Sequence, residues 1–169
     1  MNDNTQRIVN WLVETESWDS DPHEGLGTED FFRAWVEIAA DPRRFFAPLT
    51  ADQIDDLVNH AGMYMDFAVW WDTGTRGQGG DPSLKIAAIR ASPAILRAAS
   101  RATGGRCPGC YMFWEQTAAV WRDIWGWRDI WAAVGETLRE QLASAPDDCV
   151  KRSAEHGIEH YTQAETEGG

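Results

Sequence analysis

The stretch TADQIDDLVNHAGMYMDFAVWW, Thr50 to Trp71, decides the fold class. It opens on Thr50 with Gln53 three residues later. That is the spacing of a capping box, in which a hydroxyl and an amide each satisfy a backbone N–H group at the helix start. Ile54, Leu57, Val58, Ala61, Tyr64, Met65 and Ala68 then recur on one face, widened by Phe67 and Trp71, while Asp52, Asp55, Asn59 and Asp66 line the opposite side. The pattern predicts a surface helix packed on a core.

The same period recurs upstream. From about Asn4 to Trp18, Ile8, Trp11, Leu12 and Thr15 fall at helical spacing, and Asp-Ser-Asp-Pro at 19–22 ends the run. Thr28 reads as an N-cap, with Glu29 and Asp30 complementing the helix dipole, and Phe31, Trp35 and Ile38 form a stripe. Asp41-Pro42 opens a short helical piece through Phe46, which Pro48 closes.

Downstream, a Gly-rich loop at 73–80 separates this half from the next. Asp81-Pro82 and Ser92-Pro93 cap two helices or mark one kinked helix, which Gly104-Gly105 stops. From Pro108 to about Ala143 the pattern is helical again. Phe113, Val120, Ile124, Trp127, Trp131, Val134, Leu138 and Leu142 lie on one face, and Trp114, Ala118, Trp121, Trp125 and Ala132 on a second. Trp121-Arg-Asp-Ile-Trp125 is echoed by Trp127-Arg-Asp-Ile-Trp131, and six residues rotate the second copy by about 120°. An unbroken helix here would be too long for the domain, so Gly126 or Gly135 is expected to bend or interrupt it. Asp147 caps a final helix to about Tyr161, leaving 162–169 as a flexible acidic tail. The expectation is one all-α domain over 1–161, a compact bundle of about six or seven helices with a long Trp-rich helix near its C-terminal half.

Net charge is −12 over 169 residues, which argues against a surface that binds nucleic acid or an anionic membrane directly. No apolar run is long enough to span a bilayer and no secretory leader is visible, so the expected setting is the cytoplasm with reduced thiols. The charge is uneven. Residues 82–106 hold Lys85, Arg90, Arg97, Arg101 and Arg106 and no acid, so the acidic excess lies in the rest of the chain. Arg90, Arg97 and Arg101 recur at helical spacing, a basic stripe for an acidic partner or for the protein's own carboxylates.

Cys107-Pro-Gly-Cys110 is the one short motif with chemistry attached. With two of Cys149, His156 and His160 it would complete a tetrahedral zinc site. Read as ordinary structure, it is a helix-start turn with buried thiols. A redox reading lacks the strand that precedes such a motif in thioredoxin-like folds. Asp19, Asp21, His23 and Glu24 match no cation-loop spacing and read as a solvated linker. His60 reads as a hydrogen-bonded packing residue. The Gly-rich loop lacks a phosphate-gripping Gly-Lys-Ser/Thr ending, and no hydrolase or metalloprotease motif is present, so the balance is against an enzyme.

Three functions remain. The first is a non-catalytic binding module or inhibitor, analogous to small phage- or plasmid-encoded inhibitors, that docks on a basic, nucleic-acid-handling protein. Trp114, Trp121 and Trp125 would be its anchors and Asp52, Asp55, Asp56 and Asp66 its steering charges. The second is a zinc-stabilised helical protein, enzymatic or sensory, built on Cys107 and Cys110. The third is a homo-oligomer whose second Trp stripe is a self-interface.

Overall fold

A computed structural model describes residues 3–14, 26–75, 83–105, 109, 110, 113 and 128–168. Among these the chain forms seven helices and no strand: α1 (Asp3–Glu14), α2 (Thr28–Ala40), α3 (Pro42–Phe46), α4 (Ala51–Thr75), α5 (Ser83–Ala102), α6 (Arg128–Ala143) and α7 (Asp148–Gly168). The all-α bundle expected from the sequence is the fold found. The middle of the expected Trp-rich helix lies outside the described residues, and α6 is the part of it on view.

α4 begins as its capping box dictates. The Gln53 backbone N–H donates to Thr50 Oγ1 at 3.2 Å, and the Thr50 N–H donates to Gln53 Oε1 at 2.9 Å. All seven apolar residues of the expected face are buried. The helix continues past Trp71 to Thr75, so residues 73–75 of the expected Gly-rich loop are helical.

An aromatic chain ties α4 to its neighbours. Trp11 of α1 meets Tyr64 edge-on at 4.9 Å, Tyr64 meets Phe31 of α2 at 4.8 Å, and Trp35 stacks between Phe31 at 5.9 Å and Phe113 at 6.1 Å. These offset and edge-to-face pairs match the ring quadrupoles and add to what area burial alone contributes. Thr5 Oγ1 of α1 donates to Glu37 of α2 at 2.6 Å, closing one end of that layer.

The cap of α2 is displaced from the sequence reading. Gly27, not Thr28, is the N-cap: its N–H donates to Asp30 Oδ2 at 3.0 Å and its carbonyl accepts from Phe31 at 3.2 Å. Thr28 is buried within the first turn. The Asp30 carboxylate supplies the half of a capping box that accepts the N-cap N–H, and Gly27 has no side chain to supply the other half.

α5 lies at the centre, with α2, α3 and α4 against it on one part of its surface and α6 and α7 against another. It is one helix with Pro93 inside. Proline supplies no N–H for the Ile89 carbonyl one turn earlier, which ordinarily breaks a helix. Packing from both halves of the molecule holds this one together. Ser92 Oγ donates to Ala88 O at 3.2 Å and accepts the buried Trp35 indole N–H at 3.0 Å, joining α5 to α2 at the interruption. The helix ends in a Schellman motif: Gly105 N–H reaches Ser100 O at 2.7 Å and Gly104 N–H reaches Arg101 O at 3.3 Å. Both glycines have positive φ, 68° and 78°.

α6 and α7 form a close antiparallel pair behind α5. Gly135, one of the two glycines expected to bend or interrupt the Trp-rich helix, lies inside the uninterrupted α6, and Gly126, the other, is outside the described residues. Gly135 is buried at the point where α7 approaches, and a Cβ there would lie 2.7 Å from Tyr161 Cζ. One turn earlier, Trp131 stacks on Tyr161 at 4.4 Å. Asp147 caps α7 as expected, its Oδ1 accepting the Val150 N–H at 3.0 Å. The helix runs on to Gly168 instead of ending near Tyr161.

Candidate functional site

Steering charges on α4 follow from helix geometry. At 100° per residue, Asp52 and Asp56 point roughly opposite to Ile54, whose side chain enters the core. Both are exposed, one turn apart, and no cation is paired with either among the described residues. Asp55 differs from them. It is half-buried, and its Oδ1 accepts the Gly109 N–H, so this carboxylate holds the helical Gly109–Cys110 segment against α4. Asp66 lies on α4, but its side chain is outside the described residues. So are Trp114, Trp121 and Trp125, the expected anchors.

The basic stripe does not act as a unit. Arg90 pairs with Glu136 of α6 at 3.2 Å, and Arg97 donates to Ser144 Oγ at 2.7 Å. Part of the stripe is therefore turned toward this protein's own α6. The Arg90 pair is exposed on both sides and contributes little to stability. Lys85 is buried, at 3% exposure. Arg101 points elsewhere, into a groove described below.

Cys110 is fully buried, and its Sγ contacts Leu96 O of α5 at 3.5 Å. Cys149 is half-buried at the start of α7, and His156 and His160 are half-buried further along it. Cys107 is outside the described residues. Among the described residues, no group of three or more His, Cys, Asp and Glu side chains is placed to hold a metal ion. The motif's glycine has a packing role: Gly109 is pressed against the α4 backbone at Asp55 and Asn59. His60 does what was expected of it, its Nδ1 lying 2.7 Å from the Leu12 carbonyl and linking α4 to α1. The Asp19–Glu24 cluster is outside the described residues.

A groove of about 590 Å³ opens where α3, the start of α4 and the end of α5 converge. Phe46, Leu49, Ile54 and Ala98 give it an apolar lining, and Arg43 and Arg101 also line it. Both arginines are exposed, and neither is paired with a carboxylate among the described residues. Sequence reasoning missed this site because Ala98, Arg101 and Ala102 of α5 lie far along the chain from the 43–54 stretch they meet. The one available signal was Arg43-Arg44 directly after a helix-opening proline. No described helix is long and apolar enough to cross a membrane. No protein-family model, curated protein or solved structure matches the chain.

Proposed function

We propose that this chain is a non-catalytic binding module whose acidic surface docks on a basic protein, of the kind that handles nucleic acid. The observation that carries the reading is the pair Asp52 and Asp56, exposed and unpaired on the outer face of a helix whose inner face is fully committed to the core. Asp52 sits in the first turn of α4, where it complements the helix dipole, but Asp56 one turn on has no such role and repels it, whereas across an interface such carboxylates raise the association rate and exclude wrong partners. The net charge of −12 extends the same field over the molecule. Arg90 opposes it weakly, since its charge is paired with Glu136 of α6, while Arg97 keeps its charge against the neutral Ser144 hydroxyl.

The test is affinity capture from the native host with the wild-type chain and with Asp52→Lys/Asp56→Lys. Both positions are exposed, so the variant should keep its helical circular dichroism, with a melting temperature only slightly lowered by loss of the first-turn carboxylate of Asp52. The proposal expects one basic protein or complex to be recovered by the wild type, to be released by moderate salt, and to be lost by the variant. Equal recovery by both chains, or recovery of no basic protein, overturns it.

A further inference from the structure

The groove between α3, α4 and α5 is separate from the acidic face, since Ile54, which lines it, points away from Asp52 and Asp56. Its size falls within the roughly 300–1,000 Å³ of ordinary small-molecule sites. Eight of the described residues line it, against roughly 20–30 on each side of a stable protein interface. A small ligand fits it better than a macromolecule does.

The lining states what chemistry that ligand has. Phe46, Leu49, Ile54 and Ala98 come from α3, the α3–α4 link, α4 and α5, and they offer an apolar body no hydrogen bond. Arg43 and Arg101 add two permanent positive charges with no internal carboxylate against them, in a chain whose overall charge is strongly negative. Arg90, on the same helix as Arg101, does meet a carboxylate, so acids are within reach of α5 and yet are not placed here. Two unpaired guanidinium groups match the nearly dianionic charge of a phosphate monoester, which they bind through charge-assisted hydrogen bonds.

From this we infer that the groove is a binding site for a single-chain alkyl phosphate, with the chain on the Phe46–Ile54 floor and the phosphate between Arg43 and Arg101. The probe is decyl phosphate, titrated calorimetrically into the full chain below its micellar concentration, with decanol and decanoate as comparisons. Saturable one-to-one binding is expected, at least about ten-fold tighter for the phosphate than for either comparison. Arg43→Ala/Arg101→Ala should weaken it by at least about ten-fold, and Ala102→Trp, which fills the groove from an exposed position, should abolish it. All three positions are exposed, so melting temperatures should be retained. As a readout that needs no variant, decyl phosphate should shift the amide resonances of Ala98 and Ala102 in the wild type. Absence of saturable binding, affinity unchanged in both variants, decanoate or decanol binding as tightly as the phosphate, or shifts confined to other helices would each overturn the inference.

Discussion

Gly109 lies so close to α4 that a Cβ on it would stand 2.6 Å from the Asp55 carbonyl oxygen and 3.0 Å from the Asn59 nitrogen. The same approach lets the Gly109 N–H reach the Asp55 side chain. Both obstructing atoms belong to the backbone of a long helix, so neither can swing aside. Gly109→Ala should therefore destabilise the fold by about 1–3 kcal/mol, as overpacking does, and Asp55→Ala by a similar amount through the N–H it strands. Denaturant melts measure both. A Gly109→Ala protein as stable as the wild type would show that the segment at Gly109 can lift away from α4.

Ser92 is the acceptor for a fully buried indole. Ser92→Ala leaves the Trp35 N–H without a partner, at a cost of about 1–3 kcal/mol. In a Trp35→Phe background the same change should cost much less, because the stranded donor is gone. A double-mutant cycle reads the difference as a coupling energy.

Asp147 serves two helices at once. Its Oδ1 caps α7 and its Oδ2 accepts from Ser100 Oγ of α5. Thr50 caps α4 alone, in an exposed position. Asp147→Ala should thus lower stability by more than the roughly 1 kcal/mol expected for Thr50→Ala, and the comparison can be made by thermal unfolding of the two variants.

Tyr161 has its hydroxyl pKa pushed up from 10.0 to about 12, chiefly by burial and then by the neighbouring Glu165. A raised phenol pKa means that the folded state holds its proton more tightly than the unfolded state. The resulting stability is fully present below pH 10 and is lost as pH rises toward about 12. Ultraviolet titration of the wild type against Tyr161→Phe should assign a late-ionising tyrosine to this position. Glu165→Ala should move that tyrosine's midpoint down toward the ordinary value.

Helical periodicity was legible wherever one face was buried and the other wet. The face of α4, the stripe of α2 and the Asp147 cap all follow from local spacing, because the hydrogen bonds that make a helix close within four residues. The N-cap role of Gly27 and the packing role of Gly135 were not legible for the same reason. Whether a glycine starts, breaks or packs a helix depends on what stands against it, and Tyr161 lies far along the chain from Gly135. The candidate sites were less legible still. Asp52, Asp55 and Asp56 look alike in the sequence, yet Asp55 faces Gly109 while the other two face solvent.

Composition and period were enough to determine an all-α protein, where α4 starts, which of its side chains are inside, and a strongly acidic charge. Those properties depend on neighbours along the chain or on simple counts. Only tertiary structure decided that Pro93 interrupts no helix, that Arg90 and Arg97 are turned toward α6 and its end, and that Arg43 and Arg101 share one groove. Each of these is a contact between segments distant in sequence, where packing energy from other helices outweighs local preference. Tryptophan, the residue most conspicuous in the composition, shows the division. Trp11, Trp35 and Trp131 are core or helix-pair contacts because particular rings, Tyr64, Phe31 and Tyr161, come to meet them.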